Sequence, residues 1–129
     1  MPNREQFRRQ FFATLLLAIL LISCVAQAQP LLEQASSSYK LRKDYASLEV
    51  IHRHLALGMA RPAVETLLGE ADYSPIEGQY YYLSDRRERQ KDAGEEQGEA
   101  SVGLVLDYRN KQGELTDALQ TFWLGVLGE

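Results

Sequence analysis

Apolar residues along the chain fall into runs with distinct periods. Phe11 to Ile22 is continuously apolar apart from Thr14 and carries no charge. Tyr45, Leu48, Ile51 and Leu55 then recur at spacings of three, three and four, which places them on one face of a helix. Val64, Leu67 and Leu68 supply the stripe of a second helix. Gly58 breaks the chain before it, Pro62 suits its first turn, and Gly69 suits its C-terminal cap. Further on the period becomes two. Val102, Leu104, Leu106 and Tyr108 alternate with Gly103, Val105, Asp107 and Arg109, which predicts a strand whose first set faces the helices. Tyr80–Ser84 and Leu115–Trp123 also read as strands. Neither face of Leu115–Trp123 is purely apolar, and Tyr80–Ser84 carries tyrosines on both faces, so the inward faces of these two stay open.

Between the first two strands, Asp85 to Ser101 has many charges and no aliphatic residue larger than Ala, which predicts a long solvated loop. Asn110 and Gly113 mark a hairpin turn. The expected fold is α+β: two short helices packed on a three-stranded antiparallel sheet. The sheet's second face would then carry aromatic residues to solvent. Tyr80, Tyr82, Phe122 and Trp123 are the candidate partner surface, with core packing as the alternative for each.

The N-terminus carries different information. Arg4, Arg8 and Arg9 precede the apolar run, and small residues follow it. A basic head, a short apolar stretch and a small-residue zone make a secretory signal. Twelve apolar residues cover roughly 18 Å as a helix, short of the roughly 30 Å of a bilayer core. Two cleavage sites compete. Ala26-Gln27-Ala28 has the small-x-small form, and Leu21-Ile22-Ser23-Cys24 is similar to the bacterial lipobox. The second explains the one cysteine of the chain: a sulfur converted to a diacylglyceryl thioether neither oxidises nor mispairs. Cys24 is therefore the candidate lipidation site. Val25 stands where an aspartate would hold a lipoprotein at the inner membrane, so the expected location is the outer membrane, facing the periplasm. The domain boundaries follow: 1–23 lipoprotein signal peptide, 24–43 flexible tether, 44–129 folded domain.

Removing residues 1–23 takes away Arg4, Arg8, Arg9 and Glu5 and leaves 11 basic and 17 acidic side chains, a net charge near −6. Such a chain lacks the basic face that nucleic acid requires and the polybasic grip of a surface-bound lipid binder. His52 and His54 lie two apart, about 200° around a helix, and cannot share a metal. Asp107 and Asp117 are placed to face each other across the hairpin, an arrangement usual on solvated sheets. With no nucleophile–base pair, phosphate loop or metal spacing, the chain reads as a non-enzyme. No cofactor, metal or small-molecule substrate is expected.

Gly58, Met59, Val64, Leu68 and Gly69, within "LALGMARPAVETLLGEADYSPIEGQYYYLS", together with the segment "GLVLDYRNKQGELTDALQTFW", resemble the SmpA/OmlA (BamE-like) family of outer-membrane lipoproteins. The likeness covers roughly Leu48 to Trp123. It implies two helices on a three-stranded antiparallel sheet, a lipid anchor, and an accessory role in outer-membrane β-barrel assembly or envelope integrity through protein partners. Ala60 stands where the family often has a Thr cap, and Glu70-Ala71 stands where it tends to have a residue followed by proline. The fold is also similar to that of β-lactamase inhibitor proteins. The alternative function is therefore a proteinaceous inhibitor or regulator of an envelope enzyme.

Overall fold

The computed structural model describes residues 3–92 and 95–128, without the side chains of residues 7, 17–29 and 90–97. The chain divides into two compact units, Met1–Leu31 and Leu32–Glu129. Residues of the first unit from Arg4 onward belong to helix α1 (Arg4–Arg42). Among the described residues no helix is long and apolar enough to cross a membrane. The lipobox-like Leu21–Cys24 lies within α1, and its side chains, that of Cys24 included, lie outside the described ones.

The second unit is α+β. The last part of α1, then α2 (Tyr45–His54) and α3 (Arg61–Leu68), precede strands β1 (Tyr73–Ile76), β2 (Gln79–Asp92), β3 (Glu95–Asp107) and β4 (Thr121–Val126). The strands form one antiparallel sheet in the order β1-β2-β3-β4. The helices lie against one face. Leu48, Ile51, Leu55, Val64 and Leu68 pack there with Tyr82, Leu104, Leu106, Tyr108 and Leu119.

Local chemistry accounts for the two short helices. Asp44 caps α2 by accepting from the Ser47 N–H at 3.1 Å. Burial works against the Asp44 carboxylate, but the hydrogen bonds from Ser47 and Ser38 outweigh it and hold the group below its usual range. His52, Arg53 and His54 place basic side chains at the carbonyl end of α2. Helix α3 begins at Ala60 with no side-chain cap, has Pro62 in its first turn, and ends at Gly69 with φ 75°. Only glycine takes that last conformation without strain.

Four expectations need correction. First, the sheet has four strands, because Tyr73–Ile76 adds an edge. Pro75 lies in this strand, which an edge position tolerates because the missing N–H need not pair there. Second, the flexible tether read over 24–43 does not extend to 43. Leu32, Ala35, Ser36 and Tyr39 of α1 pack into the core of the second unit. The Ser36 hydroxyl donates to the Leu67 carbonyl at 2.7 Å, and the Tyr39 hydroxyl donates to the Leu83 carbonyl at 2.7 Å. Lys43 then turns the chain with φ 56°.

Third, Asp85–Ser101 is not a loop. Strands β2 and β3 continue through it, pairing Arg87 with Ser101, Glu88 with Ala100 and Arg89 with Glu99. This arm runs past β1 and β4 as a two-stranded ribbon. Among the described side chains of the arm none is buried, and no apolar alternation marks it. Fourth, the last strand is Thr121–Val126, not Leu115–Trp123. The turn at Asn110–Gly113 does form, closed by the Gly113 N–H on the Asn110 carbonyl at 2.9 Å. Leu115 and Ala118 make single bridges to Arg109 and Ala60 before β4 begins.

Tyr39, Tyr82 and Tyr108 are buried, and burial pushes all three phenols up, that of Tyr108 to about 12. Unfolded tyrosine ionises near 10. The fold favours the neutral phenol, so this part of the stability is complete below about pH 10 and falls as pH rises through the folded values. The expected result is that ionisation of these three, followed by phenolate absorbance, coincides with loss of circular dichroism above about pH 10. Titration of all seven tyrosines at the ordinary value with the fold intact would contradict their burial.

Candidate functional site

Register decides which aromatic residues reach solvent. Tyr80 pairs with Leu106 and Tyr82 with Leu104, while Phe122 and Leu124 stand opposite the same two β3 residues. Directly paired residues share a face of the sheet. Tyr80, Tyr82 and Phe122 therefore point to the helical layer. Tyr82 is buried, with its hydroxyl donating to the Gly69 carbonyl at 3.2 Å. Tyr80 and Phe122 are half-buried against the core. Phe122 meets the His52 ring edge-on, with centroids 5.5 Å apart.

Of the four candidate surface residues, only Trp123 lies on the open face, and it is 46% exposed. Its neighbours there are residues the sequence reading did not select. Tyr73, Tyr81, Val105 and Trp123 pair in succession across all four strands. Tyr73 and Tyr81 stack with centroids 4.5 Å apart and planes inclined by 25°. Val105 is buried beneath this row although it faces away from the helices. Leu127 covers the next position along β3, Gly103, where an added Cβ would lie 2.8 Å from the Leu127 Cδ1. The Trp123 ring lies over Gly125 in the same way, 3.3 Å from where a Cβ would be. The result is a plate of aromatic rings on an aliphatic floor. Alternation within "QYYYLS" contained the signal: one set of its tyrosines had to face outward.

A second concavity lies on the helical side. Arg61, Glu65, Gly69, Tyr73, Tyr80 and Tyr82 are among the residues around a cleft of about 450 Å³. The Arg61 Nε donates to the Glu65 Oε1 at 2.7 Å, and the guanidinium carbon sits 4.6 Å from the Tyr80 ring centroid and 5.5 Å from that of Tyr108. The cation is thus held by its own helix and two ring faces. Asp107 stands opposite Thr121 of β4 and not opposite Asp117. Asp107 accepts two hydrogen bonds from the Arg109 guanidinium, at 3.0 and 2.6 Å, and those bonds hold its carboxyl below the usual range. The main-chain carbonyl of Asp117 accepts from the Arg61 N–H at 2.8 Å. Among the described residues no group of three or more His, Cys, Asp or Glu converges as metal ligands.

These features define an α+β domain with helices on one face of a four-stranded antiparallel sheet and aromatic residues exposed on the other. Neither a protein-family model nor a characterised protein nor a solved structure matches the chain.

Proposed function

We propose that the chain is a lipid-anchored, non-catalytic binding module at the periplasmic face of the outer membrane. It serves as an accessory of β-barrel assembly or of envelope integrity, with a fold of the SmpA/OmlA kind. The observation that carries the binding role is the aromatic plate. Tyr73 and Trp123 are each 46% exposed on one sheet face, and contiguous exposed apolar surface of this kind marks contact sites. Aromatic residues also dominate the energetic centres of protein interfaces. The lipobox-like Leu21–Cys24 and the Val25 that follows support anchoring at the outer membrane.

The test is gentle detergent extraction of the tagged protein at native level, with co-purifying proteins identified by mass spectrometry. Barrel-assembly components in stoichiometric amount are expected. Tyr73→Ala combined with Tyr81→Ala should reduce their recovery at least tenfold, the effect of removing about 1.4 kcal/mol or more of contact energy. Recovery of an envelope hydrolase in their place, inhibited by the protein, would establish the regulator reading instead. Recovery unchanged by the double substitution would remove the plate from the interface. Cys24→Ala should abolish membrane attachment, read by fractionation. Unaltered attachment would exclude the lipid anchor.

A further inference from the structure

The two edges of the sheet are treated differently. The β1 edge is four residues long, contains Pro75 and has an irregular register between Tyr73 and Ile76. Short length, proline and irregularity are the usual means of blocking an exposed edge. The β4 edge has none of these. Its pairing with β3 is regular from Val102↔Val126 to Asp107↔Thr121, and no charged residue or proline occurs from Gln120 to Gly128.

Its hydrogen-bonding phase is defined. The Leu127 N–H donates to the Ser101 carbonyl at 2.9 Å, in register with the β3–β4 ladder. Alternation along an antiparallel strand then turns the main-chain groups of Thr121, Trp123 and Gly125 toward β3, and those of Phe122, Leu124 and Val126 away from it. Among the described residues, no hydrogen bond is made to those outward groups.

We propose that this edge pairs with the β4 strand of a second copy of the chain, antiparallel, about a two-fold axis at Leu124. The sequence is complementary to itself in that register. Leu124 meets its own counterpart, and Phe122 meets Val126 of the other copy, in the hydrogen-bonded positions. Trp123 meets Gly125 of the other copy in the closer, non-hydrogen-bonded position. A large ring opposite a residue without a side chain fills the seam from both sides, and Trp123 already lies over its own Gly125. Charge also permits a second copy at this edge. The part of the chain from Leu32 onward is strongly acidic, so two copies repel wherever charged surfaces meet, whereas Gln120–Gly128 brings no charge to the contact. The outward groups of three residues on each side supply about six main-chain hydrogen bonds.

The seam leaves Tyr73 and Tyr81 exposed, so self-pairing and partner capture fail separately. The test uses the full chain in a mild non-ionic detergent, with Cys24→Ser as the background. Light scattering should give a dimer. Val126→Pro removes one outward N–H and no bond to β3, and should weaken the dimer at least tenfold while leaving the melting temperature of the monomer within a few degrees. Leu124→Cys should cross-link between copies on mild oxidation, since a hydrogen-bonded pair has Cα atoms about 5.5 Å apart. Trp123→Cys, displaced from its counterpart, should not. A monomer at all concentrations overturns the proposal, and so does a dimer that Val126→Pro leaves intact. Pairing of the edge with an added extended apolar peptide, without any dimer, overturns it in favour of a different occupant.

Discussion

Leu106→Asp is expected to leave the chain unfolded. Leu106 lies in the middle of β3, paired with Tyr80 on one side and Phe122 on the other, and none of its surface is exposed. Truncating such a leucine costs about 2–5 kcal/mol. The aspartate adds a charge in a fully buried site among apolar side chains, whose desolvation costs a further several kcal/mol. The sum reaches the entire stability of a small domain, about 5–15 kcal/mol. Circular dichroism should lose its strand signal and the cooperative melt should vanish. Leu106→Met, which keeps volume and polarity, should cost less than about 1.5 kcal/mol and remain folded. A stable, folded Leu106→Asp would mean that β3 presents its other face to the helices.

Gly103→Ala should be nearly as damaging, for a steric reason. The new Cβ would stand 2.5 Å from the Tyr82 carbonyl oxygen and 2.8 Å from the Leu127 Cδ1, with the Leu83 Cα at 3.3 Å. Leu127 can turn aside, but a backbone oxygen inside the β2–β3 ladder can retreat only by parting the strands. Overpacking of this kind costs about 1–3 kcal/mol when side chains yield, and the backbone contact places the substitution at the upper end or beyond. Gly125→Ala provides the contrast. Its Cβ meets only the Trp123 ring, at 3.3 Å, and a ring at the surface can shift, so the cost should stay near 1 kcal/mol or below. Urea unfolding of the two variants measures the difference. Equal destabilisation would show that the close approach of β2 to Gly103 is absent.

Legibility followed apolar periodicity. The stripe of Leu48, Ile51 and Leu55, the Pro62 start and the Gly69 stop are all local features, and α2 and α3 form where they indicate. The alternation of Leu104, Leu106 and Tyr108 likewise located β3. Leu32, Ala35, Ser36 and Tyr39 carry the same helical spacing, but small and polar residues at two of the four positions gave them the composition of a linker. Ala35, Ser36 and Tyr39 are buried, and Leu32 partly so, because α1 approaches α3 closely enough for the Ser36 hydroxyl to reach the Leu67 carbonyl. The β2–β3 arm had no apolar pattern to read: its described side chains are not buried, its residues suit solvation, and its strands extend because the central pairing continues into them.

By itself, then, the sequence determined the class of the domain, its two short helices, its central strand and the uncharged stretch that became an edge. Each is written in the period of nearby side chains or in a local backbone preference. Tertiary structure alone decided the phase of β2. Tyr80, Tyr81 and Tyr82 are chemically identical, so no local rule separates them. Pairing Tyr80 with Leu106 and Tyr82 with Leu104 turns those two rings inward, and Tyr81 is thereby turned outward to join Tyr73 and Trp123. The candidate surface exists because strand register, a contact between residues distant in sequence, assigns identical residues to opposite faces.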